Sequence, residues 1–330
     1  MDLSVAFLGT GGSVPTARRA TACVLVMRGG DRLMIDCGEG AQRQLHRSLG
    51  LVQVDEIYVT HLHADHYLGI PGLLKTYDLM DRQRPLTVYG PPGLRDLFDA
   101  LRRILGRTRY EVEIAELEQG DSVPHDGYEL RAFAVEHRMA ANGYALVEAD
   151  RPGRFDPDAA LRLGVPEGPA FAALQRGEEV EGSDGAVRPQ QVMGESRPGR
   201  RVVVTGDSAP CVSTAEAARG AELLIHDGSF AEEEAQRAAE TGHSTAGQAA
   251  ALAREAAVKL LALVHVSSRY NVKEVLEEAR AVFPATVAPR DFDLVELPFP
   301  ERGDPKLVPN GARERREAPE PDPSQAIGSG

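Results

Sequence analysis

Between positions 60 and 66 the chain reads Thr60-His61-Leu62-His63-Ala64-Asp65-His66, directly after the apolar run Ile57-Tyr58-Val59. Three histidines and an aspartate within six positions make poor packing material. Imidazole and carboxylate are instead the usual ligands of zinc-like ions. His61 and His63, two apart on an extended segment, are expected to point the same way. Asp65 and His66 follow where the chain turns into a helix near Gly69, so they are expected to face a second ion. A fold that carries this motif must bring further ligands to it from elsewhere.

The rest of the chain offers such ligands at the ends of predicted strands, where sites form in α/β sheets. Apolar runs predict strands at residues 3–8, 22–27, 33–35, 56–60, 86–89, 110–114 and 128–135. After residue 200 further strands are expected at 201–205, 222–226, 259–264 and 293–297. Helical periodicity is expected at 68–80, 214–219, 232–240, 245–257 and 272–282. His137, His226, His243 and His265 each fall at a strand end or in a glycine-flanked loop, and Asp207 follows Val202-Val203-Val204. His46 and His125 have no such context and are expected at the surface.

Residues 150–200 read differently, being rich in Gly, Pro and charge with poor apolar spacing. They are expected to form an inserted arm and not core. From Pro298 the chain turns to Pro, Gly, Arg and Glu, which reads as a disordered tail over 299–330. Other chemistry is poorly supported. Gly9-Thr10-Gly11-Gly12 follows a strand, but a dinucleotide loop needs its third glycine where Val14 stands. Ser244 beside His243 lies in no nucleophile elbow.

Composition narrows the class. The net charge of −13, from 50 acidic and 37 basic residues, argues against a generic nucleic-acid binder, although local patches matter more than the sum. The basic residues are nearly all arginine. Cys23, Cys37 and Cys211 are scattered, which opposes a disulfide scaffold and makes a reducing cytoplasm the expectation. No apolar run suits a membrane span, and the first residues lack the pattern of a signal peptide.

His61-x-His63-x-Asp65-His66, with the downstream His, Asp and His and the turn Asp36-Cys37-Gly38-Glu39-Gly40, resembles the metallo-β-lactamase superfamily over residues 1–298. Several stretches are similar to its ribonuclease Z family of tRNA 3′-processing endonucleases. They are residues 36–44, 61–74, His243-Ser244-Thr245-Ala246 and Ser267-Ser268-Arg269-Tyr270. Gly164-Val165-Pro166-Glu167-Gly168-Pro169, followed by Gln175-Arg176-Gly177-Glu178, resembles the glycine-proline segment of that family's flexible tRNA-binding arm.

The resemblance implies an α/β fold, the αβ/βα sandwich of two packed mixed sheets with outer helices and an inserted flexible arm. It implies one domain over 1–298, with 150–200 as a tRNA-binding exosite. It assigns His61, His63 and His137 to one zinc, Asp65, His66 and His265 to the other, and Asp207 as the bridge. Manganese or iron can occupy such ligand sets as well. It further implies metal-hydroxide attack on the phosphodiester that joins the 3′ trailer to the tRNA, leaving a 3′-OH. Asp65 would orient or deprotonate the water, and His243, partnered by Asp227, would protonate the leaving oxygen. Arg19, Gly168, Pro169, Arg176, Ser268 and Arg269 are the implied RNA contacts. The implied assembly is a homodimer, and the implied partner is precursor tRNA.

Some residues depart from the family pattern. His226-Asp227-Gly228-Ser229 stands where the family commonly has His-Glu-Ala-Thr, so the carboxylate is one methylene shorter. Position 17 carries Ala where Lys is common, and position 20 carries Ala where Asn is common, in the loop associated with sensing the RNA 3′ end. Two other readings stand beside the nuclease. One is a small-molecule phosphodiesterase, lactonase or arylsulfatase-like hydrolase in the same fold, and the other is a non-catalytic RNA-binding homologue.

Overall fold

The computed structural model describes residues 1–50 and 52–310. Strands β1 (Leu3–Gly9), β2 (Cys23–Arg28) and β3 (Asp31–Ile35) are followed by helix α1 (Ala41–Leu49) and β4 (Glu56–Tyr58). Helices α2 (Ala64–Tyr67) and α3 (Gly69–Leu79) come next, then β5 (Leu86–Gly90), α4 (Leu94–Leu105) and β6 (Val112–Glu116). The second part opens with β7 (Ser122–His125), β8 (Tyr128–Ala134) and β9 (Asn142–Glu148). Helices α5 (Pro157–Arg162) and α6 (Pro169–Gln175) and the strand pair β10 (Val180–Gly182) and β11 (Gly185–Val187) occupy the stretch expected as an arm. The remainder is β12 (Arg201–Val204), α7 (Val212–Ala217), β13 (Leu223–Asp227), α8 (Ala235–Thr241), α9 (Ala246–Glu255), β14 (Leu260–Val264), α10 (Val272–Val282), β15 (Thr286–Val287), β16 (Leu294–Glu296) and β17 (Lys306–Val308).

Two mixed sheets organise these elements. One has eight strands in the order β17-β16-β1-β2-β3-β4-β5-β6, and the other has seven in the order β15-β14-β13-β12-β9-β8-β7. Strands β3 to β6 run parallel, as do β12 to β15. Val24 and Ile35 from the first sheet and Val204, Ile225 and Val264 from the second line one cavity of about 30 Å³, so the inner faces meet. Strand β13 is buried at every position. Its apolar start, Leu223-Leu224-Ile225, is what a parallel strand covered on both faces requires. Helix α9 packs on β13 and β14, and α1 packs on β1 and α3. This is the αβ/βα sandwich of the metallo-β-lactamase fold. Among the described residues no helix is long and apolar enough to cross a membrane.

The helix expected over 68–80 is present as α3, Gly69–Leu79, with the separate short helix α2 ahead of it. Gly69 lies backbone to backbone against Gly38, where a Cβ would collide with the Gly38 carbonyl. Two other expectations are revised. The tail does not begin at residue 299. Strand β17 pairs antiparallel with β16, with Leu307 opposite Val295 and Val308 opposite Leu294. Val308 is buried, and Asn310 N donates to Asp293 Oδ1 at 3.1 Å. A three-residue edge strand inside a polar stretch leaves no periodicity to read. Residues 311–330 of the expected tail lie outside the described residues.

The second revision concerns the arm. Residues 147–200, with 125–129, form a compact unit of their own. Ala160, Val165, Leu174, Val187 and Val192 are buried together there, with Phe155 and Phe171 packed against them. The Asp156 side chain caps α5 by accepting from Ala159 N at 2.9 Å, and Pro157 takes the first turn. Gly168 at φ 112° precedes Pro169, which opens α6. At the root of this unit Arg200 clasps Glu148 through Nε at 2.7 Å and Nη2 at 2.8 Å, both side chains being buried.

Candidate metal centre

Strand β4 delivers the histidine motif to the end of the first sheet. His61 forms an isolated antiparallel bridge with Ala141, which holds residues 59–63 extended. His63 then caps α2, whose first turn carries Asp65 and His66. Extended backbone followed at once by helix turns the two halves of the motif in different directions, as their spacing implied.

Among the described residues three overlapping groups of ligand atoms result, one of them Asp207, His243 and His265, and the other two hold the expected ligands. His61, His63, His137 and Asp207 converge in one, and Asp65, His66 and His265 in the other, with the ligand atoms of each within 4.8 Å of one another. Asp207 spans both. Its Oδ2 lies 3.6 Å from His61 Nε2, and its Oδ1 lies 3.5 Å from His66 Nε2 and 3.4 Å from His265 Nε2. Asp65 Oδ2 stands 3.5 Å from His66 Nε2 and 3.4 Å from His265 Nε2. His66 Nε2 and Asp207 Oδ1 are buried and make no hydrogen bond. Buried polar atoms of native proteins nearly always find partners. A donor set of five imidazoles and two carboxylates with such atoms aimed inward fits a pair of divalent cations.

The surrounding hydrogen bonds fix three of the rings. Asp36 Oδ2 lies 2.7 Å from His66 Nδ1, and its carboxylate also accepts from Thr60 N and Thr60 Oγ1 at 2.8 and 2.9 Å. His137 Nδ1 donates to Gly242 O at 2.8 Å. Ser229 Oγ lies 2.8 Å from His265 Nδ1 and donates to Asp227 Oδ1 at 2.6 Å. Partners of this kind select the tautomer that leaves the other nitrogen free to ligate. Asp36 and His265 both hold left-handed backbone, at φ 56° and 59°. Strain of that sort collects at functional sites.

Burial and charge act on these groups in different directions. Burial, with His66 beside it, pushes the His61 imidazole far down, and burial with His137 lowers His63. Both are therefore held neutral, which is the ligating form. For Asp207 burial opposes ionisation, yet His265 and His66 outweigh it and hold the carboxyl well below its usual range. Asp65 is lowered too, because the hydrogen bond and charge of His265, with His66, overcome its burial.

A second dyad adjoins the ligands. His243 Nδ1 lies 2.7 Å from Asp227 Oδ2, and the His243 ring stacks on His265 with centroids 5.4 Å apart. Burial disfavours the imidazolium, but the hydrogen bond and charge of fully buried Asp227 push it up to about 9. The aspartate that replaces the family's glutamate thus still reaches its histidine. Asp227 also accepts from the amides of Ser229 at 2.8 Å and Ser244 at 3.3 Å. Ser244 Oγ donates to Ser208 O at 2.7 Å, and Thr245 caps α9. The loop that carries His243 is pinned on both sides.

The residues expected to touch RNA are dispersed. Gly168, Pro169 and Arg176 belong to the smaller unit, where all three are exposed and Arg176 pairs with Glu178 at 2.7 Å. Ser268 and Arg269 are exposed in the larger unit, and Arg269 lies 3.8 Å from Glu234. Arg19 is turned inward, its guanidinium donating to Thr10 Oγ1 at 2.6 Å and Pro289 O at 3.1 Å. Sequence reading did not single out Thr60 or Ser229, and it quoted Asp36 without giving it a task. Asp36 and Ser229 both lie in stretches that carry the family resemblance, which is the signal that pointed to them.

Comparison with known proteins sharpens this geometry. A family described as Anti-Pycsar protein Apyc1 matches residues 3–151. The chain is 48% identical over 302 residues to ribonuclease Z of Methanosarcina acetivorans, covering 90% of this chain and 99% of that one. It is 50% identical over 306 residues to ribonuclease Z of Haloferax volcanii, covering 91% and 96%. Among solved structures, the short form of human tRNase Z superposes with a TM-score of 0.65 at 25% identity, covering 89% of this chain and 99% of that one. The metallo-β-lactamase fold protein YhfI from Bacillus subtilis gives 0.67 at 18% identity, covering 90% and 100%, a likeness of fold.

Proposed function

The chain belongs to the ribonuclease Z family, and from that membership we propose that it removes the 3′ trailer from precursor tRNA, leaving a 3′-OH on the tRNA. Membership makes it a metal-dependent hydrolase of the endoribonuclease class. The observation that carries the rest is the His243–Asp227 dyad stacked beside the two ligand groups. It supplies a proton donor separate from the carboxylate that handles the water, which is what cleavage of a phosphodiester with a poor leaving group needs.

His61, His63 and His137 would hold one ion and Asp65, His66 and His265 the other, with Asp207 within reach of both. We assign zinc to these sites from the nitrogen-rich donor set, with manganese or iron as substitutes. Bound there, a pair of divalent ions supplies Lewis acidity at phosphorus and lowers the pKa of water. Asp65 orients the attacking water and takes its proton. The water oxygen bonds to phosphorus as the bond to the 3′ oxygen of the last tRNA nucleotide breaks. His243, with Nδ1 held by Asp227, delivers a proton from Nε2 to that oxygen.

The unit of residues 147–200 serves in this reading as an RNA-holding exosite, and the working assembly is a homodimer. The three cysteines are unpaired, in keeping with a cytoplasmic enzyme. The acidic net charge favours a second reading, a hydrolase of small phosphodiesters, lactones or aryl sulfates.

Incubating purified protein with a 3′-extended precursor tRNA separates the two. The nuclease cuts next to the discriminator base, stops with chelator, and loses at least about 100-fold in the Asp65→Ala variant. Activity on bis(p-nitrophenyl) phosphate alone moves the assignment to the small-molecule hydrolase.

A further inference from the structure

The loop that joins β1 to β2, residues 10–20, is closed at its neck by a single carboxylate far away in sequence. Asp291 Oδ1 accepts from Thr10 N at 3.1 Å and from Thr10 Oγ1 at 2.7 Å. Asp291 Oδ2 accepts from Ala20 N at 2.7 Å and from Gln44 Nε2 at 2.8 Å. Gln44 is itself anchored, since its amide also donates to Leu8 O at 2.8 Å. Thr10 Oγ1 passes the connection on by accepting from Arg19 Nη1 at 2.6 Å. One half-buried side chain therefore ties both ends of the loop to α1 and fixes the arginine at its neck.

The loop touches the metal centre at its other side. His265 N donates to Thr10 O at 3.1 Å, and Gly11 bridges Val266. Gly12 lies so close that a Cβ there would collide with the His265 carbonyl and ring. Ser13 N reaches His265 Nε2 at 3.3 Å, the nitrogen that faces Asp65 and Asp207. Beyond that contact residues 13–18 are exposed. The exposed tip thus begins at the rim of the ligand cluster.

We propose that Asp291 is a positioning residue for the substrate, holding the tip of residues 13–18 at the rim of the metal centre so that it meets the nucleotides flanking the scissile phosphate. The inference rests on the RNA-cleaving reading. It gives Arg19 a different task from direct contact with RNA. Arg19, Thr10, Asp291 and Gln44 form one relay that sets the loop, and the tip makes the contact. A small ester that fills only the metal centre has no strand to lay across the tip, so it is indifferent to the relay.

The test compares wild type with Asp291→Asn, and with Thr10→Val, which keeps the volume and removes only the shared hydroxyl. Zinc content, hydrolysis of bis(p-nitrophenyl) phosphate, kcat and KM on precursor tRNA, and amide exchange over residues 10–20 are measured for each. Losing hydrogen bonds to a carboxylate lowers kcat/KM on precursor tRNA roughly tenfold, mostly through KM. Zinc content and small-ester hydrolysis stay near wild type, and the amides of Thr10 and Ala20 exchange faster. Equal loss on both substrates, or unchanged cleavage of precursor tRNA, overturns the proposal. A wild-type enzyme that does not cut precursor tRNA at all overturns the functional reading instead.

Discussion

At the scale of single residues the chemistry turns on how each side chain's proton is held. Asp227 raises His243 against the effect of burial, to about 9. A donor must be protonated to act, so its acid form is present below that value and lost as pH rises through it. Asparagine at 227 keeps the shape and removes the charge, leaving burial and His66 to lower the ring against the charge of Asp207 alone. The alkaline limb of the pH–rate profile for Asp227→Asn is then expected to move down, toward or below about 6.5. A limb that stays in place would show that another group donates the proton. The convergence of the candidate ligands was legible in the sequence because four of them fall within six positions and the others follow strands of an α/β sheet. Ser229 and Asp291 were not, because each acts by joining three segments whose meeting is a product of the fold. The inward turn of Arg19 was not legible either, since nothing in its neighbours announces that Thr10 and Pro289 will take its guanidinium.

Among elements, long strands and helices with clear periodicity could be read, and short ones could not. Strand β17 has three residues and sits in a polar stretch, so only its pairing with β16 reveals it. Helices α5 and α6 were hidden by the Gly and Pro that start and stop them. The arm they build can be removed cleanly, because Arg151 and Arg197 face each other as an antiparallel bridge. Arg151 N donates to Arg197 O at 2.7 Å, and Arg197 N donates to Arg151 O at 2.9 Å. Facing strand backbones lie ~5 Å apart, so a short Gly-Ser turn can replace residues 152–196. The Glu148–Arg200 pair lies outside the excised segment and remains. If the arm is the exosite, the excised enzyme retains its metal and its small-ester hydrolysis, while KM for precursor tRNA rises about 10- to 100-fold, or ~1.4 to 2.8 kcal/mol. Steady-state kinetics on both substrates decide it, and an unchanged KM for tRNA removes the exosite role.

On the scale of the whole molecule, a chain of net charge −13 must bind a polyanion. Several of its exposed arginines are already paired. Arg162 pairs with Asp156, Arg176 with Glu178, Arg188 with Glu179, Arg109 with Asp78 and Arg269 with Glu234. Between residues 150 and 201 nine acidic side chains accompany eight basic ones. An RNA phosphate that takes one of these arginines must displace a carboxylate, which then gathers cations of its own. Where the contacts fall on these pairs, net counterion release is small, although the number of phosphate contacts need not be. Affinity then comes from the metal centre, the loop tip and backbone contacts more than from a basic surface. Binding of precursor tRNA by the slow Asp227→Asn variant, whose metal ligands are intact, is expected to weaken only gently between about 50 and 200 mM salt, with a log–log slope of roughly −1 to −3. Fluorescence anisotropy across that range measures it. A slope of about −6 or steeper would mean that several arginines leave their carboxylates for phosphate without replacement, and that the acidic total conceals a basic face made on binding.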